Sequence, residues 1–263
     1  MSLFSVEPNP AVTFRILHED PDVLVVEKPP GVPTQPGLGH DHDTLLNGLF
    51  VAHGRSLQDL GKSRDFGLLH RLDLQASGLL VVGLSKPAYD ALREAFASRS
   101  IGKFYWVIVK GVPGTPTGVI DRPIAETIRR GDGSIKKAFI SRGGKQAVTA
   151  YRVIQAGRDA SLVECRPLTG RLHQIRVHME LIGCPVLGDD LYASPPVRSA
   201  APRLALHSHR LVFDHPLTGQ RIDVRTRWPK DLRRILDKFG LERPDSGEAA
   251  PGTRRPSTAH DSV

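Results

Sequence analysis

Asp73 stands between a basic dipeptide and a Ser-Gly step, in the run His70-Arg71-Leu72-Asp73-Leu74-Gln75-Ala76-Ser77-Gly78-Leu79-Leu80. The flanking residues, 66–69 before it and 79–84 after it, read as strands. Asp73 is therefore expected on a short connection at the mouth of a sheet. A carboxylate fixed there, beside Arg71 and other cations, can act as a nucleophile. The competing use is a turn aspartate that bonds its own backbone, the common fate of Asp in loops. The local pattern leaves both open.

Two further residues could complete such a site. Apolar spacing predicts a helix from about Arg171 to Ile182. Leu172, Ile175, Met179 and Ile182 give it one apolar face, with Arg176 at the margin of that stripe. An arginine there must snorkel to water or be paired, because burying a lone guanidinium is prohibitive. If the helix packs beside the Asp73 loop, Arg176 becomes the ionic partner of that carboxylate. Tyr105 belongs to a strand-like run, 104–109. There it points the same way as Lys103, Val107 and Val109, opposite to Phe104, Trp106 and Ile108. A tyrosine so placed can stack on an extruded nucleobase while its hydroxyl reaches a proton. A core tyrosine with a bonded hydroxyl is the alternative.

The elements that must position these residues are mostly strands. A sheet is expected to begin by Val12 to Ile16, followed by Val23 to Val26 and a Lys28-Pro29-Pro30-Gly31 turn. Asp43 or Thr44 is placed to cap a helix through about Ala52, and a glycine-bounded loop from Gly54 to Asp65 follows. Ala88, Leu92, Ala95 and Phe96 recur at helical spacing. Strands are expected at 119–124, 137–140, 147–154, 161–166, 204–213 and 222–226, then a last helix at 231–239. Many consecutive strands joined by short turns imply an α+β domain with a mixed, mostly antiparallel sheet flanked by helices. No Gly-rich turn links a first strand to a helix, which disfavours a Rossmann fold.

Three segments, in this order, resemble the RluA-type pseudouridine synthases: His70 to Leu80, Lys103 to Gly111 (KFYWVIVKG), and Leu168 to His178 (LTGRLHQIRVH). The likeness covers roughly residues 14 to 230. It departs at Ala76 and Leu172, where the family carries threonine. The resemblance implies a single catalytic domain over 12–239, built around a central RNA-binding cleft. An N-terminal segment (1–11) precedes it, and a sheet beginning by Val12 to Ile16 is expected to leave no room for the small RNA-binding domain that many relatives carry in front. The composition from Gly240 onward, rich in Pro, Gly, Ser, Ala and Arg, predicts a disordered tail (240–263). The resemblance further implies isomerisation of specific uridines in ribosomal or transfer RNA, with Asp73 attacking a flipped-out uridine. Arg176 would lie against Asp73, and Tyr105 would stack on the base and assist deprotonation at C5. Arg71 would contact phosphate or fill the space the nucleotide leaves. No cofactor is needed, since the reaction involves neither redox change nor group donor.

Composition agrees with an RNA partner. The net charge is +8, and residues 118–152 concentrate it: Arg122, Arg129, Arg130, Lys136, Lys137, Arg142, Lys145 and Arg152 stand against Asp121, Glu126 and Asp132. A basic stretch within a folded region suits a phosphate backbone; a merely solvated loop is the plain alternative. Arg71, Arg129, Arg130, Lys136, Lys137, Lys145 and Arg171 are the expected RNA contacts. A structured stem-loop of ribosomal or transfer RNA, met by a monomer, is the expected partner. No apolar stretch is long enough to span a bilayer, Met1 to Pro10 has no basic start followed by an apolar run, so no secretory signal is expected, and two cysteines are too few for a disulfide framework. Cytoplasmic residence follows as an expectation.

Other readings fare worse. His40-Asp41-His42-Asp43 suggests a metal site, yet nothing completes a ligand set, so no metal is expected. Gly143-Gly144-Lys145 lacks the spacing and helix of a P-loop. His207 and His209 share one strand face and are assigned structural roles. An RNA-binding module without turnover would not need Asp73, Tyr105 and Arg176 together. A glycoside hydrolase usually wants two facing carboxylates.

Overall fold

The computed structural model describes residues 4–37, 39–129 and 135–244. Strands β1 (Arg15–Glu19) and β2 (Val23–Lys28) lead into helix α1 (Leu45–Leu60), then β3 (Ser77–Gly83), α2 (Lys86–Ala97) and β4 (Gly102–Lys110). Five strands follow: β5 (Thr117–Asp121), β6 (Ile124–Arg129), β7 (Ile135–Ile140), β8 (Val148–Ala156) and β9 (Ala160–Pro167). Helices α3 (Gln174–Leu181) and α4 (Pro195–Arg198), strands β10 (Leu206–Asp214) and β11 (Arg221–Arg225), and helix α5 (Arg233–Phe239) complete the order.

The main sheet runs β1-β2-β3-β10-β4-β9-β8-β5, with β11 paired to β10, and β6-β7 forms a separate hairpin. This is the expected α+β architecture with a mostly antiparallel sheet. Its one parallel contact among the described residues joins β3 and β10 at only two positions, His207 to Ser77 and Ser208 to Gly78. Beyond them β11 takes over that edge of β10. The two central strands therefore part beyond Gly78 and Ser208, and the Asp73 loop leads into the paired end, just before Ser77. Gly78 is required there: its φ is +112°, and a Cβ would come within 2.2 Å of the Ser208 carbonyl oxygen.

Each face of the sheet has its own core. Leu24, Val26, Leu80 and Val82 pack with Leu45, Leu49 and Leu57 of α1. Val23, Val25, Leu79 and Val81 pack with Leu92 of α2 and with Leu211 and Phe213. Both faces of β2 and β3 are thus covered, which explains their unbroken apolar sequences. Thr44 caps α1 in a reciprocal box with Asn47, and Ser85 caps α2 just before Pro87.

The strand expected at 119–124 is divided, since β5 ends at Asp121 in the main sheet and β6 starts at Ile124 in the hairpin. Three further expected elements differ. Residues 66–69 are no strand: Lys62–Gly67 forms a 3-10 turn, with Asp65 and Phe66 at positive φ (46° and 49°), and Leu68 makes one isolated bridge to Val82. Helix α1 passes Ala52 and Gly54 with a kink at His53 and ends at Leu60. Gly54 within the helix leaves room for the Phe4 ring, which a Cβ would approach to 2.9 Å. Helix α3 begins at Gln174, since His173 adopts a left-handed conformation (φ 50°). Leu172 therefore lies before the helix and packs toward Ile124, Ala138 and Val177, apart from the cluster that takes Ile175 and Met179.

Candidate active site

The Asp73 loop is held from behind by buried polar groups. Thr34 Oγ1 accepts from Leu72 N and donates to Leu72 O, both at 3.1 Å. Lys28, with no exposed surface, sends its Nζ to Pro29 O (2.8 Å), Val32 O (2.6 Å) and Leu74 O (3.3 Å). Burial pulls the Lys28 amine down to about 7, with the Asp73 charge opposing that fall. Three carbonyl acceptors match the three N–H groups of an ammonium, one more than a neutral amine supplies, so the geometry favours the charged form. Arg203 adds Nη1 to Gln75 O (3.4 Å) and Nη2 to Ser77 Oγ (3.1 Å). Main-chain polar groups on both sides of Asp73 are thereby tied down.

In front, α3 brings Arg176 to the carboxylate. Arg176 is 4% exposed and donates from Nη1 to Asp73 Oδ2 at 3.3 Å. The sequence expectation of this pairing holds, and burial removes the snorkelling alternative. The tighter partner was not foreseen. Asp189 accepts from Arg176 Nε at 2.8 Å and from Nη2 at 2.7 Å, and Asp190 accepts from Nη2 at 3.0 Å. Burial works against the Arg176 charge, but the hydrogen bonds and charge of Asp189, then Asp73 and Asp190, raise its pKa well above the ordinary guanidinium value. Asp189 is 1% exposed, and its burial is likewise outweighed by Arg176 and by the Leu191 and Tyr192 N–H groups, so its carboxyl lies below the usual range. Gly188, at φ +77°, lets this turn lie against Arg203, where a Cβ would come within 1.9 Å of the carbonyl oxygen.

Gln174 fixes the start of α3. Its Oε1 accepts from Thr169 Oγ1 (2.6 Å) and Arg171 N (3.0 Å), while Nε2 donates to Val148 O (3.0 Å) and Thr149 Oγ1 (2.9 Å). One side chain thus ties the helix to β8.

A cleft of about 540 Å³ opens over this arrangement, with Asp73, Tyr105 and Arg176 all on its walls. Tyr105 faces it from β4, opposite Ser208 of β10. Burial pushes its phenol well above the usual range; the Ser208 hydroxyl acts against the rise and the Asp73 charge adds to it. Tyr105 is 7% exposed, a phenol that is partly core and partly wall. Trp106, on the opposite face, stacks on His209 with ring centres 4.0 Å apart. His207 lies 2.8 Å from Ser77 Oγ and 2.6 Å from Thr226 Oγ1, away from the cleft.

The expected RNA-binding cations divide. Arg71, Lys136 and Arg171 line the cleft, and Arg171 is steadied by Gln146 O at 2.9 Å. Lys137 instead donates to Leu191 O, and Lys145 is exposed beside the β6 edge. Arg129 ends β6, and Arg130 lies outside the described residues, as does the tail from 245 onward. Lys103 was missed: it lines the cleft 5.5 Å above the Phe96 ring, and burial lowers its amine to about 8. Its alternation with Tyr105 was the available signal. Ala76 and Leu172 both border the cleft.

Of the earlier metal candidates, His40 pairs with Asp43 (2.7 Å) and His42 with Glu7 (3.2 Å). Asp20, Asp22 and His215 lie together, but Asp20 caps Asp22 N and Val23 N, and His215 Nδ1 accepts from Leu217 N and Thr218 N. These hydrogen bonds account for the grouping.

A sequence model described as RNA pseudouridylate synthase matches residues 22–181, from the start of β2 to the end of α3, with Asp73, Tyr105 and Arg176 inside. The chain belongs to this family. It is similar to the ribosomal large subunit pseudouridine synthase D of Zymomonas mobilis, at 39% identity over 243 residues, which cover 87% of this chain and 75% of that protein. It is also 37% identical to an uncharacterised RNA pseudouridine synthase of Bacillus subtilis, over 85% of this chain and 72% of the relative. The human RNA pseudouridylate synthase domain containing 4 superposes with a TM-score of 0.68 at 29% identity, covering 88% of this chain and 95% of that one. The synthase is of the RluA type, an isomerase that converts uridine to pseudouridine in RNA. Among the described residues no helix is long and apolar enough to cross a membrane.

Proposed function

We propose that the synthase isomerises specific uridines in large-subunit ribosomal RNA, with Asp73 as its nucleophile. The observation that carries this is the meeting of Asp73, Arg176 and Tyr105 in one cleft, with Asp73 bonded to Arg176 at 3.3 Å. The naming of several relatives as ribosomal large subunit enzymes supports the substrate. Uridine must leave its stack to reach a carboxylate on a cleft wall. Asp73 then attacks C1′ of the ribose, or takes a sugar proton to give a glycal, and the N1–C1′ bond breaks in either route. The detached uracil turns and C5 bonds to C1′, as the Asp73–C1′ bond breaks in the first route or Asp73 returns the sugar proton in the second; C5 then loses its proton and N1 gains one.

Arg176 is a positioning residue in this scheme, since Asp189 holds it and it in turn orients Asp73. Tyr105 lies along the uracil. Its hydroxyl, kept protonated by burial, bridges the C5 proton toward an acceptor and carries no charge of its own. Arg71, Lys136 and Arg171 meet phosphates at the cleft rim. The unit doing this spans 12–239, a cytoplasmic monomer meeting a structured stem-loop. A hydrolase is not favoured, because Asp189 uses both oxygens on Arg176 and backbone N–H groups.

Mapping pseudouridines in ribosomal RNA from a strain lacking the gene tests the substrate. At least one large-subunit position should lose its modification and regain it when the chain is restored. An unchanged ribosomal map would overturn the assignment.

A further inference from the structure

Behind the Asp73 cleft lies a second and larger concavity, about 1060 Å³. Consecutive residues separate the two: Ala76 and Leu206 face the cleft, while Ser77 and His207 face the groove behind. Arg203 belongs to the partition, bonding Gln75 O on the catalytic loop and Asp231 on the groove side. The groove holds eight Lys/Arg and two carboxylates, an excess of six against a net +8 for the whole chain. Arg15 is paired with Glu27, Arg203 with Asp231 and Arg225 with Asp223. Arg227, Lys230, Arg233 and Arg243 are exposed and have no carboxylate within ion-pair distance among the described residues.

We infer that this groove is a second RNA-binding surface, which grips the phosphodiester backbone of the substrate away from the target uridine. The inference rests on the pseudouridine synthase reading for its ligand and adds a site on the far side of the sheet. Three features select the ligand. The unpaired cations come from the segment after β11, the start of α5 and the chain beyond it, spread along a rim and not converging on one buried point. That layout fits a polyanion better than a single small anion. Arginine predominates, and its planar fork matches phosphate oxygens. None of the exposed large apolar side chains among the described residues lies in the groove, so it offers a lipid surface nothing to insert. RNA leaving the Asp73 cleft around this end of the sheet would meet both surfaces.

The test compares the full chain with R227A/K230A/R233A and with a control, R55A/K62A/K86A, whose exposed cations lie in neither concavity. Filter binding to a transcript of large-subunit ribosomal RNA is measured across salt concentrations. Removing three phosphate contacts should weaken binding about tenfold or more and lower the slope of log K against log salt by about two. The control should change affinity less than about twofold. Groove-variant binding equal to the unsubstituted chain, an equal loss in the control, or no binding by the unsubstituted chain would each overturn the inference. Binding requires no turnover, so tritium release by the unsubstituted chain on the same transcript tests the catalytic reading separately.

Discussion

Arg176 holds Asp189 through two hydrogen bonds of 2.7 and 2.8 Å and Asp73 through one of 3.3 Å. The residue that fixes the guanidinium is therefore not the one proposed to do the chemistry. A single arginine caught between a tight structural carboxylate and a looser reactive one can orient the second without locking it.

Asp189→Asn should accordingly damage both stability and turnover. Removing one partner of a buried pair typically costs about 3 to 5 kcal/mol, because the remaining charge is left short of compensation. Displacing Arg176 by about an ångström should lower kcat on the order of a hundredfold. Urea unfolding and steady-state kinetics read the two effects. A stable variant with unchanged kcat would remove Asp189 from the positioning role.

Lys103 gives the cleft a pH dependence. Burial lowers its amine to about 8, so it is cationic at pH 7 and loses its charge as pH rises through that value. Attraction for RNA phosphate at the cleft should weaken over the same interval, raising KM between pH 7 and 9. Lys103→Arg, which stays charged, should show a flatter profile. Parallel profiles for the two proteins would exclude Lys103 as the source.

His207 sets a limit on acid stability. It is 1% exposed, and burial, with the Arg203 and His209 charges, holds its pKa well below the ordinary value. The unfolded chain binds a proton near pH 6.5, where the folded chain does not. Stability is therefore full above about 6.5 and falls as pH drops below it. The urea midpoint of the unsubstituted protein should fall between pH 7.5 and 5 by more than that of His207→Gln. An equal fall in both would assign the effect to other groups.

Legibility in the sequence followed how local each signal was. Asp73, Tyr105 and Arg176 each stood out from neighbours a few residues away, and the cleft unites them. Asp189, Lys28 and Arg203 did not, because their roles exist only once distant segments meet: Lys28 reaches Leu74 across 46 positions, and Arg203 reaches Gln75 across 128. Strand periodicity carried most of the sheet. It failed at 66–69, where positive φ at Asp65 and Phe66 turns an apolar run into a coil. Helical spacing failed at Leu172, where one left-handed residue, His173, delays the helix. Gly54 reads as a breaker in sequence, yet it is a helical contact for the Phe4 ring.

The central claim is that Asp73 carries the reaction. Tritium release from ribosomal RNA labelled at uridine C5 measures it directly, comparing the unsubstituted chain with Asp73→Asn. Release should be stoichiometric with the modified uridine in the first and fall by more than about a thousandfold in the second, with RNA binding retained. Release by Asp73→Asn at a rate near that of the unsubstituted chain would contradict the account.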